Sequence, residues 1–206
     1  MKNSPEKKEK KKRLILNSAI RVFARKGFYN ARIKEIARQA KVADGTIYLY
    51  FKNKDDILIS IFEDRIGKLN EKMLEISSMN IPCREKIFKI IELQLGNVRG
   101  HRDLAEVITI NLRQSNRFLK EFAAPLFNRY LDIMAGIIED GQKRGEFSQK
   151  YPARIIATSL FGAIDGLLLT WVLGPRSHSR LMRAGSYLAS VILKGLEQKC
   201  DKEEEN

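Results

Sequence analysis

Along most of the chain, apolar residues recur at i, i+3, i+4 and i+7, and stretches that alternate with period two are scarce. That pattern specifies an all-α protein of about nine helices. The first covers about Lys10 to Lys26, with Ile15, Ala19, Val22 and Phe23 along one face and Gly27 as its stop. A short second helix, Ile33 to Ala40, turns Ile33, Ile36, Ala37 and Ala40 inward. The connection Lys41 to Asp44 then leads to a third helix, Gly45 to Phe51, whose buried pair is Ile47 and Phe51. Asn53, with Asp56 three residues on, reads as an N-cap and its acidic partner, opening a long helix with Leu58, Ile61, Phe62, Leu69 and Met73 along one side. Ser77 to Pro82 ends that helix. Further helices are expected over about 84–98, 103–113 and 125–143, from Pro152 to Leu173 and from Leu181 to Leu196, with Gly145 and Gly174-Pro175 as stops. Residues 1–9 and 199–206 read as disordered ends, and there is no internal repeat.

Composition adds a domain division. With 206 residues and 44% hydrophobic content the chain can build a sizeable core. Its net charge is +13, and residues 1–56 carry +10 of it, with 16 Lys/Arg against 6 Asp/Glu. The charge boundary and the helical pattern divide the chain into a basic arm (1–9), a basic helical module (10–56), a second helical domain (57–198) and a tail (199–206). Cys83, Cys200, His101 and His178 lie far apart, without metal-ligand or disulfide-framework spacing, so no metal and no cofactor is expected. The N-terminal lysines are not followed by a signal-peptide core. The longest apolar stretch, Ala157 to Leu173, is short for a membrane span and contains Asp165. The expectation is a cytoplasmic protein without a membrane partner.

Two short helices joined by a tight turn, packed on a first helix and dense in Lys and Arg, form a helix-turn-helix. In that geometry the last helix enters the major groove of double-stranded DNA. With Ile47 and Phe51 inward, Thr46, Tyr48, Leu49 and Tyr50 face outward, able to hydrogen-bond base edges or phosphates and to touch thymine methyls. Gly45 lets backbone approach DNA closely. Tyr48 and Tyr50 admit a second reading, as half-buried aromatics at the core boundary. Lys52 and Lys54 flank the Asn53 cap, and Lys54 sits in a first helical turn, where the macrodipole disfavours a cation. A bound phosphate would resolve that conflict; the alternative is two ordinary surface lysines. The run Lys7 to Arg13 adds backbone affinity without sequence information.

Residues 15–58, and above all Val42-Ala43-Asp44-Gly45-Thr46-Ile47-Tyr48-Leu49-Tyr50-Phe51-Lys52-Asn53-Lys54-Asp55-Asp56-Ile57-Leu58, resemble the DNA-binding domain of the TetR family of one-component repressors. The resemblance implies a homodimer paired through its last two helices, a palindromic operator, and an all-helical ligand-binding domain without enzymatic activity. It implies DNA contacts at Gly45, Thr46, Tyr48, Leu49, Tyr50 and Lys54, with help from the start of the second helix. The chain departs from the family in two places: Arg32 stands where Thr or Ser often opens that helix, and Tyr50 where His is frequent. Arg32 and Lys34 are read as phosphate binders.

Residues 57–198 contain no nucleophile elbow, no phosphate loop and no clustered carboxylates beside a histidine, so no catalysis is expected. Their helices are very apolar, and Gly162 and Gly166 favour close helix approach. Asn111-Leu112-Arg113-Gln114-Ser115-Asn116 and Gly162-Ala163-Ile164-Asp165-Gly166, followed by Thr170-Trp171-Val172, are similar to the fatty-acyl-CoA-responsive repressors of fatty-acid degradation within that family. The similarity implies a hydrophobic effector, long-chain acyl-CoA. Arg113 is the candidate for its anionic part, with an ordinary ion pair as the alternative role; Phe122, Tyr130, Phe161 and Trp171 are candidate lining residues. Two other readings are a multidrug-efflux repressor sensing cationic aromatic ligands through Asp132 or Asp165, and a non-specific architectural DNA binder.

Overall fold

A computed structural model of the chain describes residues 5–111, 124–174 and 177–197. Among them are nine helices and no strand. They are α1 (Pro5–Lys26), α2 (Ile33–Ala40), α3 (Asp44–Tyr48), α4 (Lys54–Ser78), α5 (Cys83–Gly96), α6 (Arg102–Glu106, running on as a π turn over Val107–Asn111), α7 (Ala124–Lys143), α8 (Ala153–Leu173) and α9 (His178–Leu196). The chain divides into two units, Met1–Lys68 with Gly100–Leu126, and Leu69–Arg99 with Phe127–Asn206.

In the first unit Ile15, Phe23, Ile36, Ile47 and Phe51 share one core with the first turns of α4, each at most 2% exposed. Gly27 takes φ 74° and its N–H bonds the Phe23 carbonyl, so it ends α1 as expected. The left-handed stop of α2 is Lys41, at φ 54°, with bonds to the Ala37 and Arg38 carbonyls. A side chain there costs about 1–2 kcal/mol, so surrounding contacts hold it. α3 is shorter than the pattern suggested. It is a single turn, Asp44–Tyr48, after which Leu49 and Tyr50 form a turn that still delivers Phe51 to the core.

α1 begins earlier than expected, at Pro5, so residues 5–9 are helical and not an arm. Proline suits a first turn, and the pairs Glu6–Lys10 and Glu9–Arg13 support it at i, i+4 spacing. α6 also belongs to this unit: Leu104 and Val107 join the same core, and α6 packs on α1.

In the second unit α9 packs on α5 and α8. Gly185 makes the first contact possible, since a Cβ there would stand 2.4 Å from Leu95 Cδ1. α9 begins three residues before the expected Leu181 because the Ser177 hydroxyl accepts from the Arg180 N–H at 3.3 Å, a cap that apolar periodicity does not reveal. At the end of α7, Gly145 takes φ 72° and the Glu146 and Phe147 N–H groups both reach the Gly141 carbonyl, folding the Phe147 ring over Gly141. A Cβ on Gly141 would meet that buried ring at 2.3 and 2.5 Å and Cys83 Cβ at 3.0 Å. Gly141→Ala is therefore expected to lower stability by about 1–3 kcal/mol in urea unfolding, with DNA affinity of the folded protein unchanged.

Candidate functional site

The outward face of the head forms because α3 has only one side to bury. Ile47 is fully buried, which leaves Tyr48 59% and Leu49 76% exposed beside exposed Gly45 and half-buried Thr46. No neighbour lies within 4 Å of a Cβ built on Gly45, so this backbone is open to a close approach. The two tyrosines separate. Tyr48 projects into solvent, whereas Tyr50 is half-buried, packed against the head core with its ring 6.4 Å from that of Phe51. The boundary reading holds for Tyr50 alone.

Beside this face, α2 starts at Arg32, whose backbone N–H donates to the Glu35 carboxylate at 3.1 Å. Glu35 in turn accepts from Lys26, and that hydrogen bond, with the one from Arg32, holds its carboxyl below the usual range. Arg32 and Lys34 are exposed, as is Lys52, whose backbone N–H donates to the Asp56 carboxylate at 2.8 Å. Asn53 caps α4 as expected: its side-chain oxygen accepts from the Asp56 N–H at 2.8 Å.

Lys54 departs from the expectation of a phosphate-seeking side chain. Its Nζ donates to the carbonyls of Phe28 (2.6 Å), Tyr29 (2.9 Å) and Ala31 (3.2 Å) and lies 4.6 Å from the centre of the Phe28 ring. An ammonium has three donors, so all are taken. Desolvation pulls its pKa down from the ordinary lysine value, opposed by Asp55. Apolar spacing could not reveal this, because the partners are backbone carbonyls more than twenty positions away.

In the second unit two of the expected lining residues meet. Tyr130 stacks on Phe127 (ring centres 6.2 Å apart), and Phe161 stands edge-on to both, at 4.7 Å from Phe127 and 5.6 Å from Tyr130. The Tyr130 hydroxyl and the Gln94 side-chain amide, both buried, hydrogen-bond at 2.9 Å. Burial pushes the phenol far above its ordinary pKa, the Gln94 bond opposes this and the Asp165 charge adds to it. Phe127 and Gln94 were not singled out in the sequence; the signal for Phe127 is its place one helical turn before Tyr130. Trp171 is half-buried, and its indole N–H has no partner among the described residues. Arg113 and Phe122 lie outside the described residues. Asp132 is 69% exposed and paired with Arg154, so it is not the buried unpaired acid that the efflux reading needs. Among the described residues no group of His, Cys, Asp and Glu could hold a metal ion.

Known proteins share both halves of this arrangement. The tetR family of bacterial regulatory proteins is matched over residues 15–61, and the C-terminal region of YsiA-like proteins over residues 62–195. The chain belongs to the TetR family. It is a DNA-binding helix-turn-helix regulator and not an enzyme. The fatty acid metabolism regulator protein of Bacillus subtilis (strain 168) is 35% identical over 185 residues, 90% of this chain and 95% of its own length. The structure of FadR from Bacillus subtilis in complex with stearoyl-CoA matches with a TM-score of 0.80 at 34% identity, over 90% of this chain and 99% of that one. The fatty acid degradation regulator FadR from Bacillus halodurans matches with a TM-score of 0.85 at 29% identity, over 97% of this chain and all of its own.

Because Tyr48 packs on nothing that its removal would unfold, Tyr48→Ala is expected to leave unfolding free energy within about 0.5 kcal/mol of the parent. The same change should weaken operator binding about tenfold in fluorescence anisotropy, in the range of one lost base or phosphate contact. Unaltered binding would remove Tyr48 from the interface.

Proposed function

We propose that this TetR-family regulator binds a palindromic operator as a homodimer, represses genes of fatty-acid degradation in the cytoplasm, and is released by a long-chain fatty acyl-CoA. The observation that carries the reading is the match, over nine-tenths of the chain, to a regulator solved with stearoyl-CoA. The Phe127–Tyr130–Phe161 cluster, with Tyr130 buried and both phenylalanines half-buried, supports it by supplying an apolar surface for an acyl chain. Arg113 is the proposed partner of the effector's anionic end, with Phe122 and Trp171 as further lining residues.

The dimer is proposed from the outer face of α8 and α9. Ile155, Ser159, Gly162, Gly166, Thr170 and Leu173 are all exposed at helical spacing, flanked by exposed Tyr187 and Val191. α8 is also the one helix among the described residues long and apolar enough to cross a membrane, and only 28% of its most apolar window is buried. Such a face needs a cover, and its small residues suit a second copy of the same helices. No neighbour stands within 4 Å of a Cβ on Gly162. Gly162→Arg is therefore expected to leave the helical circular dichroism intact while size-exclusion chromatography with light scattering shows a monomer that no longer retains operator DNA.

Release would act on the head through α6 as well as α4. Leu104 and Val107 of α6 lie in the head's core, and α6 leads directly into the segment that carries Arg113. A shift of this segment would repack the core that supports α2 and α3. A hundredfold release requires the effector to prefer the non-binding conformation by about 2.7 kcal/mol. The test is DNA from upstream of the gene, titrated in anisotropy with acyl-CoAs of increasing chain length, free CoA and a cationic dye. Release by the long-chain thioesters but not by free CoA is the expected result. If micromolar long-chain acyl-CoA leaves binding unchanged, the effector assignment is wrong.

A further inference from the structure

Lys54 is the first residue of the helix that follows the reader, the place where a phosphate-binding lysine is expected, yet its ammonium points back into the head. Its three acceptors are consecutive or nearly so in the α1–α2 corner: Phe28, Tyr29 and Ala31. Phe28 is buried at 3% and its ring also faces the ammonium, so the contact is a socket and not a chance surface approach. Ala31 immediately precedes Arg32, the residue that opens α2. The start of α2, with exposed Arg32 and Lys34, thus follows directly on the last of the carbonyls that Lys54 grips. Other bonds meet in the same corner: the Ala31 N–H reaches the Gly27 carbonyl at 3.2 Å, the Asn30 side chain the Lys26 carbonyl at 3.3 Å, and the Lys26 ammonium the Glu35 carboxylate.

We infer that Lys54 is a positioning residue of the DNA head: its ammonium fixes the α1–α2 corner, and with it the phosphate-facing start of α2, and makes no phosphate contact of its own. It ties the first turn of α4 to that corner, so a displacement of α4 reaches α2 directly and not only through the packed core. The energetic reason for a lysine is that three carbonyls converging on one point need a compact donor of three hydrogen bonds. A planar guanidinium cannot reproduce that geometry.

The experiment compares Lys54→Met and Lys54→Arg with the parent, using full-length protein, operator DNA and non-operator DNA across a salt series. For the parent, operator preference must be present first; its absence would refute the DNA reading itself and is seen before either variant is examined. If Lys54 positions the corner, Lys54→Met weakens operator binding at least tenfold while the slope of log affinity against log salt stays the same. Lys54→Arg, which keeps the charge and offers a better phosphate ligand, weakens it as well. Two results overturn the inference. A slope that falls by about 0.9 in Lys54→Met, with Lys54→Arg binding as tightly as the parent, makes Lys54 a phosphate ligand. A lowered melting temperature with unchanged affinity and slope makes it a stability residue only. Should Lys54→Met fail to fold, Lys54→Arg alone distinguishes a positioning role from a phosphate contact.

Discussion

The reader depends on the burial of Ile47 and Phe51 against Phe23, Ile15 and Ile36. α3 is one turn of helix and α2 little more than two, lengths at which an isolated helix in water does not persist. Their conformations exist because the shared core rewards each for being in place. The exposed positions of α3 follow from that inward commitment: once Ile47 has entered the core, Gly45, Tyr48 and Leu49 have nowhere to go but outward. DNA-facing chemistry here is the remainder left by core packing, and anything that loosens the core also loosens the reader.

The same core takes in a second, distant stretch of the chain. Leu104 and Val107 come from a segment remote in sequence yet sit among the residues that hold α1. The local backbone there departs from α geometry, passing into a π turn over Val107–Asn111. Insertions of this kind often mark functional segments, because they bulge a helix without ending it. Thr109 is buried in it, with its hydroxyl donating to the Ala105 carbonyl. The head is thus completed by a piece of chain that the charge boundary near residue 56 had assigned elsewhere.

Electrostatics in the head divides into groups that shape it and groups that remain outside. Glu6 and Glu9 pair with Lys10 and Arg13 along α1, and Glu35 is held by Lys26. Arg32, Lys34 and Lys52 stay exposed. Lys54 belongs with the first set although its position in the sequence argues for the second. In the other unit Gln94 is matched with Tyr130 and the Lys86 ammonium with the Ser77 carbonyl at 2.7 Å, while the Trp171 indole N–H has no partner among the described residues. The Cys83 thiol, donating to Asp140 at 3.4 Å, is pushed up to about 11 by desolvation first and by that acid, which keeps it protonated and unreactive.

Sequence alone determined the all-helical class, the positions of α2, the Asn53 cap and Gly27, the inward pair Ile47 and Phe51, and the basic reader they expose. Each of these follows from local rules: helical period, capping chemistry, and the freedom of glycine at positive φ. What only the tertiary structure decided were features in which partners lie far apart in the chain. The single turn of α3 depends on what is packed beside it. Tyr48 and Tyr50 have similar propensities and parted only when the core took one ring and left the other. Gly141 and Gly185 acquired their roles from Phe147 and Leu95 closing on them. Lys54 changed meaning most, because three backbone carbonyls of the α1–α2 corner carry no mark in the sequence that they will converge on one ammonium.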